Sequence, residues 1–195
     1  ANSMDSVYYN HLVTASSRPF YNNATQEKTA PGSTYKPLAA IAGLTEGVVS
    51  EGTYINCNRV YDSVEPNVHC WVYPNSHGTQ EIIGALTHSC NVYFCELGLR
   101  LGLDNPSEEE TLDENGNPVP RSYSSSRGLE KLADYARRFG LDSVSGIEVP
   151  ETDPQISDED SVRSAMGQGT NNYTTSQLAR YISAVANRGT VYALT

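Results

Sequence analysis

A serine and a lysine one helical turn apart are the first residues in this sequence that suggest chemistry. Ser33 follows Pro31 and Gly32, and Lys36 lies three positions later, at the start of an apolar run. Side chains three apart share a helix face, a serine nucleophile needs a base, and burial lowers a lysine pKa. The pair therefore predicts a lysine-activated serine. Taken alone, the spacing favours a plainer alternative, in which Ser33 caps the helix and Lys36 lies in solvent.

A second candidate group is Ser89-Cys90-Asn91, the only Ser-x-Asn tripeptide in the chain. It falls at a junction between two helical patterns, where side chains can point into a cleft. A second hydroxyl there can relay a proton, and an amide can hold the carbonyl of a peptide substrate. The alternative is that Ser89 or Asn91 caps the helix that follows.

Five helices are predicted to position these residues. Pro37 is tolerable only in the first turn of a helix, so Ser33 is placed at the helix N-terminus. Thr174 and Gln177 form a capping-box pattern at the start of the last helix. The predicted helices cover residues 33–44, 79–87, 91–101 and 128–139, and a stretch that starts at residue 174.

The remaining segments are predicted to contain little regular structure. Residues 1–30 read as coil with at most short helical or extended pieces, and residues 141–173 are loop-rich. Two short strands are predicted at residues 53–56 and 69–73. Residues 104–127 are rich in Pro, Ser, Glu and Asn and read as a surface-loop insertion. The predicted fold class is α-rich α+β.

Length and charge narrow the range of functions. A chain of 195 residues suits one domain or a large piece of one. A net charge of −10 makes nucleic acid or an anionic membrane surface a poor partner. No apolar run reaches the ~18–20 residues of a membrane-spanning helix, and no signal peptide is evident. Both ends look cut: the start has no clear boundary signal, and the residues after Gly189 read as the beginning of a strand.

The four cysteines do not show the close pairs of a zinc motif, so no metal site is predicted. Cys90 and Cys95 are interpreted as buried free thiols in a helix. Cys57 and Cys70 flank a short turn-rich segment and could meet across a hairpin, where a disulfide would suit an extracytoplasmic protein. The spacing leaves a disulfide and a free pair equally open.

Together, these segments resemble the transpeptidase domain of penicillin-binding proteins, most closely class B enzymes of the elongation, penicillin-binding protein 2 type. The Ser-x-x-Lys pair with a later Ser-x-Asn-like group is a signature of this family. The surrounding context is more specific than the short motifs, because nearly the whole chain except about residues 104–127 takes part in the resemblance. The similar stretches are residues 19–44, 70–98, 146–151, 165–169 and 174–190.

The resemblance implies a function and a role for each residue. Ser33 is the acylated nucleophile, Lys36 its base, Ser89 the proton relay and Asn91 a ligand for a substrate amide. The reaction is cross-linking of D-Ala-D-Ala stem peptides in peptidoglycan, and β-lactams would trap Ser33 as an ester. The resemblance implies no cofactor, a membrane-anchored parent at the extracytoplasmic face of a bacterial cell, and association with the elongation machinery.

The sequence departs from the family pattern in two places. No Lys-Thr-Gly follows Gly189; the Lys-Thr-Ala of residues 28–30 precedes the nucleophile and cannot replace it. Thr175 stands where the family usually has proline. The 195 residues are therefore interpreted as the helical subdomain and central helix of a transpeptidase fold, with most of the central sheet missing, and the isolated chain is expected to be nearly inactive.

Two other functions compete with this interpretation. A serine β-lactamase or β-lactam sensor shares the serine–lysine core, but hydrolysis needs a further base, for which composition offers only Glu148 and Glu151. A non-catalytic extracytoplasmic binding or scaffold module would use Ser33 and Ser89 as helix caps. The stability of a penicillin adduct separates the three: a stable adduct indicates a transpeptidase, rapid turnover a lactamase, and no adduct a scaffold.

Overall fold

The computed structural model describes residues 5–104 and 122–195, and helices dominate this part of the chain. A 3₁₀ turn at Gly32–Tyr35 leads directly into helix α3. The α-helices are α1 (Ser6–Thr14), α2 (Asn23–Gln26), α3 (Lys36–Thr45), α4 (Ile82–Thr87), α5 (Asn91–Leu101), α6 (Ser125–Arg138), α7 (Ser161–Ala165) and α8 (Thr175–Ala186). The predicted α-rich character is confirmed.

The strands are short and pair only two at a time among the described residues. Three antiparallel ladders form, β1 with β6, β2 with β5 and β3 with β4. The strands are β1 (Lys28–Thr29), β2 (Ile55–Cys57), β3 (Val60–Tyr61), β4 (Val68–His69), β5 (Gly78–Gln80) and β6 (Tyr173–Thr174). None of these ladders could stand alone in water, so each depends on the helices that it contacts.

Helix α3 lies at the centre of the core. Leu38, Ala39 and Ala42 are fully buried, which accounts for the almost continuous apolar sequence of the helix. Pro37 sits in the first turn, where its missing N–H costs nothing. The neighbouring N–H of Leu38 donates to the hydroxyl of Tyr181 at 3.0 Å, so α8 satisfies one of the free donors of the α3 N-terminus.

Two helix predictions are confirmed closely, and a third needs correction. Helix α5 covers the predicted residues 91–101, and α8 begins with the predicted capping box between Thr174 and Gln177. The helix predicted from Thr79 begins later, because Thr79 lies in β5 and pairs with Asn56. Glu81 then caps α4 by accepting hydrogen bonds from the first backbone N–H groups of the helix.

The strand predictions were partly wrong. Residues 55–56 form part of β2, but β2 pairs with β5, and of residues 69–73 only His69 is in a strand. The residues after Gly189 form no strand. Helix α1 has nine residues, whereas the sequence predicted coil with at most short helical or extended pieces in this region. In the predicted insertion, residues 105–121 lie outside the described part of the chain, while residues 125–127 already belong to α6.

Candidate active site

A continuous hydrogen-bonded path joins the two serines to the lysine. Ser89 Oγ donates to Ser33 Oγ at 2.8 Å, and Lys36 Nζ donates to Ser89 Oγ at 3.0 Å. Ser33 is exposed at the mouth of a cleft, and Ser89 bridges it to the amine below. The structure therefore brings together three residues whose chemistry the sequence singled out, although Ser89 is 56 positions from Ser33 in the chain.

Lys36 is buried and lacks the solvent that normally stabilises an ammonium group. The residue is only 1% exposed, and its amine lies 5.5 Å from the centre of the Phe94 ring. Burial lowers the pKa of Lys36 from 10.5 to about 8, against the opposing influence of nearby thiols, Cys90 first among them. About 9% of Lys36 is therefore a neutral amine at pH 7, and the sequence-based alternative of a solvated lysine is wrong.

The partners of Lys36 determine where its lone pair points when it is neutral. As an ammonium, it donates to the carbonyl oxygen of Ser89 at 2.8 Å, to Ser89 Oγ at 3.0 Å and to Asn91 Oδ1 at 2.7 Å. Two of these three acceptors are carbonyl oxygens, which cannot donate a proton. The two N–H bonds of a neutral amine therefore stay on the carbonyl oxygens, and the lone pair faces the Ser89 hydroxyl.

Neither serine acts as a helix cap. The 3₁₀ turn that holds Ser33 and helix α3 both begin without a side-chain cap, and the N-cap residue of α5 is Cys90. Ser89 instead has φ +53°, in the left-handed region that a non-glycine residue seldom adopts. Residues held in such conformations concentrate at functional sites, where surrounding contacts maintain the strain. The capping alternative is therefore contradicted for both residues.

Asn91 lies at the first position of α5 and connects the site to its wall. Its Oδ1 accepts from Lys36, and its Nδ2 donates to the backbone carbonyl of His69 at 3.2 Å. Asn91 also lines the cleft that contains Ser33. Asn91 thus fixes the lysine and remains within reach of a peptide bound in the cleft.

The cleft has a volume of about 550 Å³ and includes residues that sequence reasoning did not select. His69, Trp71 and Arg163 contribute an imidazole, an indole and a guanidinium to its walls. Trp71 is 65% exposed although its indole N–H donates to the carbonyl of His88 at 2.9 Å. A lone tryptophan in a turn-rich segment was the only sequence signal available for this wall.

The Gly-rich turn of residues 167–169 contacts the backbone just before Ser33. The N–H of Gly32 donates to the carbonyl of Gly167 at 2.9 Å. Gly167 has φ +83°, and a Cβ at this position would lie 1.9 Å from the carbonyl oxygen of Gly32. Only glycine allows this approach, so the turn supports the backbone that leads to Ser33.

The two carboxylates considered for water activation lie elsewhere. Glu151 accepts hydrogen bonds from Ser145, Thr174 and Ser176; burial raises its pKa, but these bonds outweigh burial and hold the pKa below its usual value. Glu148 is exposed and lies outside the cleft. Among the described residues, no carboxylate lines the cleft, so nothing there resembles the added base of a hydrolase.

The four cysteines are free thiols, and Cys57 is not bonded to Cys70. The two sulfurs are nevertheless close, since Cys57, Cys70, His77 and Cys90 place one ligand atom each within 4.8 Å of one another. Sequence reasoning missed this cluster because its members are far apart in the chain and Cys90 was assigned to the helix interior. It is a group of described residues that could hold a metal ion.

Comparison with known proteins identifies related sequences along nearly the whole chain. The family model described as penicillin binding protein transpeptidase domain matches residues 2–195. The peptidoglycan D,D-transpeptidase MrdA of Haemophilus influenzae is 27% identical over 154 residues, covering 73% of this chain and 18% of the relative. Stage V sporulation protein D of Bacillus subtilis is 27% identical over 174 residues, covering 83% of this chain and 22% of the relative. The chain thus spans about a fifth of the length of these relatives.

Solved structures share the fold. A chain of a peptidoglycan synthase complex superimposes with a TM-score of 0.79 at 22% identity, covering 99% of this chain and 31% of that one. Pseudomonas aeruginosa PBP2 in complex with WCK 5153 gives a TM-score of 0.74 at 22% identity, covering 96% of this chain and 40% of that one. In the part of the chain that the structure describes, no helix is both long and apolar enough to cross a bilayer.

Proposed function

The chain belongs to the penicillin-binding protein transpeptidase domain family, and we propose that its cleft is the acyl-transfer site of a peptidoglycan D,D-transpeptidase of the penicillin-binding protein 2 type. The observation that carries this proposal is the hydrogen-bonded path from Lys36 through Ser89 to Ser33. It supplies a nucleophile, a relay and a base whose lone pair faces the relay.

The first half-reaction follows from this path. Ser33 Oγ attacks the carbonyl carbon of the penultimate D-alanine of a stem peptide; its proton passes to Ser89 Oγ as the Ser89 proton passes to Lys36 Nζ. The C–N bond to the terminal D-alanine then breaks, and the proton returns through Ser89 to the departing amine. Ser33 is left as an ester, and Lys36 is again neutral.

The second half-reaction uses the same groups in the same order. An amine from a neighbouring strand loses a proton through Ser89 to Lys36 and attacks the Ser33 ester. The ester bond breaks, the proton returns to Ser33 Oγ and a new amide bond cross-links the two strands. Asn91 holds an amide of the donor peptide, and its hydrogen bond with Lys36 keeps the amine positioned next to Ser89.

The proposed substrates and location follow from this chemistry. β-Lactams present a strained amide at the position of the D-Ala-D-Ala bond, so they acylate Ser33 and remain bound. Peptidoglycan lies outside the cytoplasmic membrane, so the location that we propose for the site is the extracytoplasmic face. A solved complex of PBP2 with MreC from Helicobacter pylori has a subunit of the same fold, with a TM-score of 0.74, and supports an association with cell-wall elongation proteins.

Mass spectrometry of the intact protein tests the proposal. We expect penicillin to form a long-lived adduct on Ser33, absent from Ser33→Ala and present in Ser183→Ala, a variant at an exposed serine on α8. Labelling of the 195-residue chain should be slow. The chain contains no Lys-Thr-Gly. The resemblance implies that the strand with this motif supplies one of the two N–H donors of the oxyanion hole, and losing one such donor lowers the rate roughly 10²–10³-fold.

Three results would contradict the proposal. An adduct that turns over rapidly would make the protein a hydrolase. An adduct mapped by peptide digestion to another residue would remove Ser33 from the mechanism. Absence of any adduct after prolonged incubation at pH 9, where Lys36 is mostly neutral, would favour a binding module.

A further inference from the structure

An arginine lies in the wall of the cleft, and we propose that it selects the substrate: Arg163 binds a free side-chain carboxylate in the residue that precedes D-Ala-D-Ala on the donor stem peptide. The inference rests on the proposed function, because it names the class of stem peptide that would acylate Ser33. Among the described residues that line the cleft, Arg163 is the only arginine, lysine, aspartate or glutamate. A stem peptide with a neutral or basic side chain at that position would gain no ion pair there.

Backbone hydrogen bonds connect Arg163 to the residue before the nucleophile. The carbonyl of Arg163 accepts from the N–H of Gln168 at 3.0 Å. In the same Gly-rich turn, the carbonyl of Gly167 accepts from the N–H of Gly32 at 2.9 Å. Gly32 directly precedes Ser33, and both Arg163 and Ser33 line the cleft of about 550 Å³. The position of Arg163 is therefore tied to that of the reacting hydroxyl.

Two contacts with the protein fix the direction of the guanidinium. One terminal nitrogen donates to the carboxylate of Asp160, and the other donates to the backbone carbonyl of Pro66, in the turn between β3 and β4. Pro66 also lines the cleft, so Arg163 connects α7 to another part of the wall. A side chain that is already held at both ends of its fork loses less conformational entropy when it binds a ligand.

The guanidinium of Arg163 keeps donors for a ligand. Each terminal nitrogen carries a second N–H group beyond the one that bonds to the protein. The side chain is 21% exposed, so the cleft gives access to part of it. A planar guanidinium matches the two oxygens of a carboxylate better than the single oxygen of an amide, and the bond is charge-assisted. A carboxylate is therefore the substrate group that Arg163 fits best.

Asp160 orients Arg163 from outside the cleft. One oxygen of its carboxylate accepts from the guanidinium, and the other accepts from the backbone N–H of Arg163 at 3.1 Å. Asp160 is not among the residues that line the cleft. Its φ of +53° lies in the left-handed region, and residues held in such conformations concentrate at functional sites. Of this ion pair, the cleft thus presents the donors of the arginine and not the oxygens of the aspartate.

The charge of the chain gives a local cation in the cleft added importance. The sequence has 23 aspartates and glutamates against 13 lysines and arginines. Such an acidic surface repels an anionic ligand over distances of about a Debye length. A substrate with an extra carboxylate would be disfavoured at most of this surface, and Arg163 offsets that repulsion at the wall that also contains Ser33.

Two synthetic peptides that end in D-Ala-D-Ala test the inference. In one, the preceding residue is L-2-aminopimelate, and in the other it is the side-chain amide of the same residue, so the peptides differ in a single carboxylate. Binding to the Ser33→Ala chain is measured by NMR titration at low salt. We expect the carboxylate peptide to bind about tenfold more tightly, as for one hydrogen bond to a charged group. Adding Arg163→Gln should abolish this preference, whereas adding Arg138→Gln, at an exposed arginine paired with Asp134, should keep it.

Two measurements on the chain with Arg163 intact guard against a variant that fails to fold. Chemical-shift differences between the two peptide complexes should be largest at Arg163 and at residues 66–68, which line the same cleft. Raising the salt concentration to about 0.5 M should reduce the preference severalfold because it screens the ion pair. The affinity for the amide peptide should change little over the same range.

Several outcomes would overturn the inference. Equal affinity for the two peptides, a preference that survives Arg163→Gln, or shift differences remote from Arg163 would show that this arginine only joins α7 to the turn between β3 and β4. No detectable binding of the carboxylate peptide at millimolar concentration would refute it as well. None of these readouts involves acylation of Ser33, so the substrate preference and the proposed function can fail independently.

Discussion

The pKa of Lys36 leads to a prediction about the pH dependence of Ser33 acylation. Burial holds this pKa at about 8 instead of 10.5. Only the neutral amine can accept the proton that Ser89 relays from Ser33. The rate constant for acylation by penicillin should therefore rise with pH as Lys36 loses its proton, and should level off above the pKa.

The size and shape of this rise follow from the pKa. With a pKa of about 8, the neutral fraction of Lys36 increases from about 9% at pH 7 to about 91% at pH 9, roughly tenfold, and then gains almost nothing. A lysine that kept the solution value would be about 3% neutral at pH 9, and its rate would still rise nearly tenfold per pH unit there. The bend in the profile distinguishes the two cases.

The assay is the second-order rate constant for formation of the Ser33 adduct, followed by intact-protein mass spectrometry from pH 6.5 to 9.5. Each rate is corrected for loss of the antibiotic by spontaneous hydrolysis. Because the prediction concerns a ratio of rates, a slow absolute rate does not prevent the test. Lys131→Ala is the matched control, since Lys131 forms a peripheral ion pair with Glu46 at 3.3 Å and should leave the profile unchanged.

Two results would refute the reasoning. A rate that does not change between pH 7 and 9 would show that Lys36 is not the base. A rate that still rises tenfold per unit at pH 9 would show that the amine keeps a solution-like pKa, and that the buried position does not affect its charge. Lys36→Ala should lower the rate by about 10²–10⁴ across the range, the usual contribution of a positioned base.

Three other predictions test the relay and its support. Ser89→Ala should lower acylation of Ser33 by about 10²-fold or more because the proton path is cut, and an unchanged rate would exclude Ser89 as the relay. Gly167→Ala should lower the free energy of unfolding by more than Gly47→Ala does, because both positions have positive φ but only a Cβ at Gly167 would meet a backbone oxygen. The positive φ alone costs about 1–2 kcal/mol at either position. Equal losses of unfolding free energy in urea titrations of the two variants would contradict the contact. The folded-state pKa of Glu151 is held low, so this residue contributes stability that is present above its unfolded pKa and is lost as pH falls through the folded value. Glu151→Gln should weaken this acid dependence of stability, whereas Glu148→Gln, at an exposed residue, should not. Thermal unfolding between pH 3 and 6 measures the difference.

Local rules in the sequence were sufficient for the helices that carry the site. The capping box of Thr174 and Gln177, the first-turn Pro37 and the apolar spacing of residues 91–101 each involve groups within about four positions of one another. The free energy of such contacts depends little on the rest of the chain. The same locality placed Ser33 and Lys36 in a single turn, and the family resemblance then supplied their roles.

Contacts between residues close in the sequence could not predict which strands pair or where each strand begins and ends. Thr79 read as the start of a helix, but its pairing with Asn56 made it part of a strand. Which of several short polar segments pair depends on how the helices around them pack, and no pattern within a segment encodes that. The predicted strand after Gly189 failed for the same reason, since the described chain offers it no ladder.

Only the tertiary structure decided the chemistry of the site and of the cysteine cluster. The sequence could supply a serine, a lysine and a cysteine, but not the burial that lowers the pKa of Lys36 or the 2.8 Å contact from Ser89 to Ser33. It also could not show that Cys90 faces Cys70 and His77. Proton affinity and metal coordination depend on distances between atoms and on exclusion of water, and both are set by contacts between residues far apart in the chain.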